Sequence, residues 1–215
     1  MDTIKTTAVL FDFDGVIMDT EAQYSFFWHK AGVDYLGMDD LENRVKGQTL
    51  TYIYDTFFGG KAKEQEEITA ALIRFEQEMD YDYIPGVLDF IADFRRNNVI
   101  MAVVTSYYEQ KMAAVYRARP EVRTMFDRIL TAEMFTRSKP APDCFLLGME
   151  VFGTTPDTTY VFEDSFNGLK AGMASEATVI GLATTNPRES IAPLCHCVLD
   201  DFRGFTYDKM LQVHK

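Results

Sequence analysis

Two carboxylates stand close together near the start of the chain, where a short apolar run ends. Asp12 and Asp14 directly follow the apolar residues 8–11, and Gly15 comes next. Like charges this close are unfavourable unless a cation binds or one group keeps its proton. Both conditions suit phosphoryl transfer, because Mg²⁺ is typically held by one or two carboxylates plus a substrate phosphate. The pattern predicts that Asp12 attacks a phosphoryl group while Asp14 transfers protons.

Polar residues also follow two later apolar runs. Thr105 closes the run 99–104, Glu163 and Asp164 close the run 160–162, and Lys139 lies between them, directly before a proline. Taken singly, each has an ordinary structural interpretation as a turn residue, a solvated loop charge or a helix cap. Together they place polar groups at predicted strand ends or helix starts, where sheets of this kind bind ligands.

The elements that must position these residues alternate between short strands and helices. Runs that are apolar on both faces are typical of buried parallel strands, which helices must then cover. We predict strands over 8–11, 99–104, 160–162, 178–182 and 197–199, and helices over 87–97, 108–117 and 142–152, the last closed by Gly153. The predicted class is α/β, with a doubly wound, mostly parallel sheet.

Residues 20–83 break this alternation and contain no convincing strand. Tyr24, Phe27, Trp28 and Ala31 fall on one helical face, and a second such face follows in the segment 68–79. We interpret 20–83 as a helical cap inserted after the first strand, with 1–19 and 84–215 forming a Rossmann-like core. An insertion at the carboxyl end of a strand lies over the ligand crevice of such sheets, so the cap is expected to act as a lid.

The composition limits the classes of partner. The formal net charge of −12 disfavours nucleic-acid binding, which needs a clustered basic face. The sequence contains no run of about 18 apolar residues, so no membrane-spanning helix is predicted. Residues 1–5 lack the pattern of a secretory signal. Three cysteines favour a reduced, cytoplasmic protein over a disulfide scaffold. We therefore expect a small-molecule partner and a monomer or weak dimer.

The segment Asp12-Phe13-Asp14-Gly15-Val16, with Asp19-Thr20 behind it, resembles the first signature of the haloacid-dehalogenase-like phosphatases. Three further signatures follow in the family's order: Thr105 resembles the second, Lys139 the third, and Glu163-Asp164 the fourth. The resemblance covers about residues 8–185. It implies Asp12 as the nucleophile, Asp14 as the acid and base, and Thr105 as a group that holds the phosphoryl oxygens. It also implies Lys139 as the cation that compensates Asp12 and the transferring group, and Mg²⁺ bound by Asp12, Asp14, Glu163 and Asp164.

Within this family the chain is similar to the β-phosphoglucomutase-like branch, which contains both mutases and phosphatases. The segment 44–49 resembles the cap loop that faces the sugar phosphate, and the substrate contacts implied there and beside the second signature are Arg44, Lys46, Gly47 and Ser106. Two departures disfavour a mutase. A histidine of the mutases aligns with Tyr24, and the cap-loop arginine that holds their second phosphate falls near Leu50.

The expected function is hydrolysis of a small phosphorylated metabolite, such as a sugar phosphate, through an aspartyl-phosphate. A phosphosugar mutase and a non-catalytic protein that binds a phosphometabolite are the two alternatives. A dehalogenase is disfavoured, because those relatives usually lack the acid that Asp14 supplies.

Overall fold

The computed structural model describes residues 6–214, which contain a single six-stranded sheet. Its order is β3-β2-β1-β4-β5-β6 and every neighbouring pair is parallel. The strands are β1 Ala8–Phe11, β2 Ile100–Val104, β3 Arg128–Leu130, β4 Thr159–Glu163, β5 Thr178–Leu182 and β6 Cys197–Leu199. The first strand therefore lies in the middle, and the chain winds outward from it in both directions.

Helices cover both faces of the sheet. We call the six strands and the helices that follow residue 84 the sheet domain. Its helices are α5 Val87–Arg96, α6 Glu109–Ala118, α7 Val122–Met125, α8 Asp143–Phe152, α9 Phe166–Ala174, α10 Arg188–Ile191 and α11 Tyr207–Met210. Successive residues of β1 point to opposite faces, so Val9 and Phe11 join one hydrophobic core and Leu10 joins a second. Burial on both faces is what the apolar runs require, and the predicted doubly wound α/β class is confirmed.

Four more helices occupy the stretch between β1 and β2. They are α1 Glu21–Leu36, α2 Leu41–Val45, α3 Leu50–Phe57 and α4 Ala62–Glu78. The chain enters and leaves this stretch along two adjacent segments, since Asp19 N donates to Asp82 O at 2.8 Å and Ile84 N donates to Ile17 O at 3.0 Å. We call residues 21–78 the helical segment. The division into a cap at 20–83 and a core stays a prediction, and residues 1–5 of that predicted core lie outside the described residues.

The predicted strands and helices of the sheet domain agree with the structure to within two residues at each end, and Gly153 closes α8 in a left-handed conformation with φ 63°. Strand β3 was not predicted. It has three residues, lies at the edge of the sheet and begins with exposed Arg128, so it lacks the apolar run that marked the central strands. Among residues 6–214, no helix is long and apolar enough to span a bilayer.

Phenylalanine rings fill the core on one face of the central strands. Phe90 of α5 is buried, and its ring centroid lies 4.0 Å from that of Phe94, 4.9 Å from Phe202 and 5.3 Å from Phe162. This cluster packs directly behind β1 and β4, whose carboxyl ends carry acidic residues. Tight packing there fixes the positions of those strand ends.

We expect Phe90→Ala to lower the free energy of unfolding by about 3–5 kcal/mol, because a large cavity replaces a buried ring. Leu88→Ala on the same helix is the matched control, since Leu88 is 45% exposed and its truncation costs less than about 1 kcal/mol. Denaturant titrations of both variants measure the difference. Equal losses would contradict the packing role given to Phe90.

Candidate active site

The carboxyl ends of three neighbouring strands bring the predicted polar residues to one edge of the sheet. Asp12 follows β1, Thr105 follows β2, and Glu163 ends β4. Asp12 N donates to Phe162 O at 2.9 Å and Thr105 N donates to Leu130 O at 2.9 Å, so both residues continue the backbone ladder of their strands. Their side chains are therefore positioned by the sheet itself.

Lys139 is the buried cation of this edge, with 1% of its surface exposed. Its Nζ lies 2.5 Å from Asp12 Oδ1 and 2.7 Å from Glu163 Oε1. Burial alone would lower the pKa of Lys139, but the charges of Asp12 and Glu163 raise it above the usual lysine value. The ammonium group therefore stays charged and ties two strand ends together.

Glu163 is held more firmly than any other carboxylate described at this edge. Its second oxygen, Oε2, accepts hydrogen bonds from Asp164 N at 2.8 Å, Ser165 N at 2.8 Å and Ser165 Oγ at 3.0 Å. Because both oxygens are engaged, Glu163 mainly fixes Lys139 and the turn that follows β4. That turn in turn sets the position of Asp164.

Three carboxylates form a group that could hold a metal ion. Oxygens of Asp12, Glu163 and Asp164 all lie within 4.8 Å of one another. Within residues 6–214, buried Asp164 Oδ2 has no hydrogen-bond partner. Burial, with the charges of Glu163 and Asp14, raises the pKa of Asp12 to about 7 even though Lys139 acts in the opposite direction. Burial and neighbouring carboxylates, Glu163 first, also raise the pKa of Asp164 well above its ordinary value.

These features fit a hard divalent cation such as Mg²⁺. An unpartnered buried carboxylate oxygen is costly, and closely spaced like charges disfavour ionisation; bound positive charge relieves both. Asp12 and Asp164 carry the donor atoms least committed to other partners. The side chain of Asp14, which was also predicted as a ligand, is not a member of this group.

Gly15 makes room for the carboxylate of Asp164. A Cβ built on Gly15 would lie 2.2 Å from Asp164 Oδ2, and its φ of 72° is a conformation that other L-residues rarely adopt. Thr184 Oγ1 also donates to Gly15 O at 2.5 Å. The glycine after the second acid is therefore required by the contact between the first and fourth predicted motifs.

Asp14 points to a different set of partners. Thr20 Oγ1 donates a short hydrogen bond to its Oδ1, and Lys111 Nζ lies 3.2 Å from each carboxylate oxygen. Lys111 was not among the residues predicted from the sequence. The sequence contains one indication that its side chain is buried. Lys111 lies one residue before Met112 and four before Val115, so helical spacing places it beside the apolar face of α6.

The loop between α2 and α3 docks on the strand-end loops of the sheet domain. Asn167 Nδ2 donates to Lys46 O at 3.1 Å, Ser106 Oγ donates to Gly47 O at 2.9 Å, and Thr49 N donates to Ser138 Oγ at 3.2 Å. The predicted substrate contacts Lys46, Gly47 and Ser106 are thus brought together beside Thr105, and all of these residues line one cavity.

Arg44 is not brought to that cavity. Its guanidinium pairs with Asp40 Oδ2 at 2.7 Å, one helical turn earlier on α2, and more than half of its side chain is exposed. The spacing i, i+4 satisfies the charge locally on the outer face of the helix. The structure therefore does not support a substrate contact from Arg44.

The cavity lies between the strand ends and the helical segment. Asp12, Asp14, Thr105 and Asp164 form its floor. Its other wall is largely apolar and includes Trp28, Val45, Leu50, Ile53, Leu72 and Ile73. Tyr24, Glu76 and Tyr107 add a polar corner. The arrangement can bind an anionic group at the floor while the helical segment contacts the rest of the molecule.

A family model described as haloacid dehalogenase-like hydrolase matches residues 9–182, which include every residue of the floor. The chain belongs to this family. The predicted family assignment is therefore confirmed.

Several curated proteins are similar to this member of the haloacid dehalogenase-like family. Phosphorylated carbohydrates phosphatase of Thermotoga maritima is 27% identical over 78% of this chain and 81% of its own length. β-Phosphoglucomutase of Mycobacterium tuberculosis is 26% identical over 88% and 86%. Protein SUPPRESSOR OF QUENCHING 1 of Arabidopsis thaliana is 30% identical over 84% of this chain, which spans only 18% of that larger protein. The chain is thus a haloacid dehalogenase-like enzyme of the phosphatase and phosphosugar-mutase type.

The fold agrees with solved structures of the family. CbbY from Rhodobacter sphaeroides, crystallised in complex with phosphate, superposes with a TM-score of 0.79 at 22% identity. The match covers 95% of this chain and 98% of that one.

We expect Gly15→Ala to lower the free energy of unfolding by more than about 2 kcal/mol and to weaken Mg²⁺ binding at least about tenfold, because the new methyl displaces Asp164. Gly153→Ala is the control: it has a similar φ of 63° but nothing within 4 Å of its Cβ. It should cost about 1 kcal/mol and leave Mg²⁺ binding unchanged. Chemical denaturation measures the loss of stability, and calorimetric titration measures Mg²⁺ affinity. Equal effects of the two substitutions would contradict a specific role for the contact between Gly15 and Asp164.

We also expect Mg²⁺ affinity to fall as the pH is lowered. Protons compete with the metal for the carboxylates. With the pKa of Asp12 near 7, about nine-tenths of this group is ionised at pH 8 but only about a tenth at pH 6. The apparent Kd measured by calorimetry should therefore be about tenfold higher at pH 6. The same affinity at both pH values would contradict a role for Asp12 as a ligand.

Proposed function

We propose that the protein is a Mg²⁺-dependent phosphatase that hydrolyses a small phosphorylated metabolite through a phospho-aspartate on Asp12. The observation that carries this proposal is the buried group of Asp12, Lys139, Glu163 and Asp164, of which Asp12 and Asp164 line the floor of the cavity. A nucleophilic carboxylate beside a fixed cation and a candidate metal site supplies the positioning and charge stabilisation that phosphoryl transfer requires.

The proposed reaction has two steps. In the first, a carboxylate oxygen of Asp12 bonds to phosphorus while the ester P–O bond breaks, and Asp14 gives its proton to the leaving oxygen. In the second, Asp14 takes a proton from water, whose oxygen attacks phosphorus as the bond to Asp12 breaks and phosphate leaves. Thr105 and Lys139 hold the phosphoryl oxygens. Asp12 and Asp164, together with Glu163, would hold Mg²⁺, which when bound supplies positive charge against the phosphoryl group.

The charges that line the cavity favour hydrolysis over a mutase reaction. Among the described lining residues, no arginine is present, and the lysines are Lys46 and Lys111. Lys111 is already paired with Asp14, and Arg44 is paired with Asp40 outside the cavity. A mutase must hold a second phosphate, for which few cations remain. This supports a monophosphate ester with an uncharged leaving group, of which a sugar or polyol phosphate is one example.

The predicted cap, residues 20–83, would select the leaving group. Apolar residues of the helical segment also line the cavity, together with Glu21, Glu42 and Glu76. Carboxylates can accept hydrogen bonds from hydroxyl groups of a polyol, and apolar walls fit its carbon skeleton. A cytoplasmic location and a monomer or weak dimer remain part of the proposal.

The deciding experiment is phosphate release from a panel of sugar and polyol phosphates, with Mg²⁺ or with excess chelator. We expect Mg²⁺-dependent release of phosphate, with the ranking of esters defining the specificity of the cap. The panel includes β-glucose 1-phosphate, with formation of glucose 6-phosphate followed in parallel. Glucose 6-phosphate without phosphate release would mean a mutase, and no turnover of any ester would mean a binding protein.

We expect Asp12→Asn to lower turnover below about 10⁻³ of the wild-type rate, because the amide cannot form the acyl phosphate. Asp89→Asn, at an exposed position on α5, is the control and should retain full activity. Circular dichroism establishes that both variants are folded. Substantial turnover by Asp12→Asn would remove Asp12 as the nucleophile.

A further inference from the structure

Lys111 is a buried cation outside the predicted motifs. It lies on α6, is 4% exposed, and its Nζ is 3.2 Å from both carboxylate oxygens of Asp14. The ring centroid of Tyr24 lies 4.2 Å from the same nitrogen, and the ring of Tyr107 also packs against it. The ammonium group is thus enclosed by one carboxylate and two aromatic faces.

The groups around Lys111 are themselves fixed. Tyr24 OH donates to Glu76 Oε1 at 3.0 Å, and Tyr81 OH donates to Glu76 O at 2.8 Å. The rings of Tyr24 and Tyr107 stack with centroids 5.5 Å apart and planes at 28°. Since Tyr24 and Glu76 belong to the helical segment while Lys111 and Tyr107 belong to the sheet domain, Lys111 is held from both sides of the cavity.

Fold stability alone is a weak reason for this cluster. Removing two charges from water is costly, and an apolar pair of the same volume usually stabilises a fold at least as well as a buried ion pair. The pair lines the cavity instead of filling the core, and its acidic partner is the residue to which proton transfer was assigned. A buried charge that contacts a reacting group is better explained by the orientation it imposes.

We infer that Lys111 is a positioning residue for Asp14, holding the carboxyl group at the leaving-group side of the cavity through contacts to both of its oxygens. This inference rests on the proposed phosphatase function. Thr20 fixes Asp14 Oδ1 from the opposite direction, so the two donors leave the group little rotational freedom. The Lys111 ammonium contacts Asp14 and two tyrosine rings, whereas Lys139 is the cation paired with Asp12.

The test compares two esters that differ in their need for protonation. An alkyl phosphate releases a poor leaving group that requires the proton of Asp14, whereas p-nitrophenyl phosphate releases a stable phenolate that does not. The value of kcat/KM reports the steps through the first P–O cleavage for both. For Lys111→Met we expect kcat/KM to fall about 10²-fold with the alkyl ester and less than about tenfold with p-nitrophenyl phosphate.

Binding provides a second measurement. The Kd for inorganic phosphate, measured with Mg²⁺ present, should change less than about twofold in Lys111→Met, because Lys111 pairs with Asp14 whereas Lys139 is the cation paired with Asp12. Lys170→Met, on the exposed face of α9, is the matched control and should leave both rate constants unchanged. Similar losses with the two esters, or a large loss of phosphate affinity, would overturn the inference.

A double-mutant cycle with Asp14→Asn tests the coupling directly. If Lys111 acts through Asp14, adding Lys111→Met to Asp14→Asn should lower kcat/KM by less than about threefold further. Independent effects that multiply would overturn the inference. The double variant also removes both members of the buried Lys111–Asp14 pair. If Lys111→Met alone does not fold, Lys111→Gln, which keeps a donor, replaces it in the comparison of esters.

The outcomes separate the two proposals. Absence of wild-type turnover with every ester would overturn the phosphatase proposal before any variant is compared. Wild-type turnover with equal losses for both esters in Lys111→Met would overturn only the positioning role.

Discussion

The contact of Lys139 with Asp12 and Glu163 is the interaction on which the site depends. Parallel strands end at one edge, and here that edge carries several buried carboxylates. Without a compensating charge they would repel one another in a region with little water. Lys139 lies within 2.7 Å of two of them, and removing one partner of such a buried pair typically costs about 3–5 kcal/mol. The same cation therefore stabilises the fold and, in the proposed reaction, compensates the charge of Asp12.

A second cation explains how two acids can stand two residues apart. Asp12 faces Lys139, whereas Asp14 faces Lys111, so each carboxylate has a positive partner of its own. Gly15 then turns the chain away and leaves space for Asp164. The local repulsion that marks this segment in the sequence is resolved by residues 127 and 97 positions away. In the proposed reaction, the two acids accordingly act at opposite ends of the breaking bond.

Much of the fold and of the floor of the site was predictable, because both follow from local pattern. Apolar runs marked the central strands, and the residues directly after them had to lie at one edge. Strand β3 was missed since a three-residue edge strand has no such run. Lys111 was missed for a different reason: its contact with Asp14 joins distant elements, and a lysine on an amphipathic helix ordinarily lies in solvent. Arg44 could either pair with Asp40 one helical turn earlier or extend into the cavity, and sequence spacing alone does not distinguish these two positions.

Three contacts between the loop at 46–49 and the sheet domain use backbone atoms of the loop. Lys46 O and Gly47 O accept hydrogen bonds, and Thr49 N donates one, while the partners Asn167, Ser106 and Ser138 contribute side chains. These three contacts do not depend on which side chains Lys46 and Thr49 carry, whereas the side chain of Gln48 accepts a hydrogen bond from Ser138 Oγ at 3.1 Å. Substitutions at positions 46 and 49 can therefore leave the three contacts intact. In the proposed phosphatase, the part of the cavity that meets the leaving group can thus vary while the loop stays docked through its backbone.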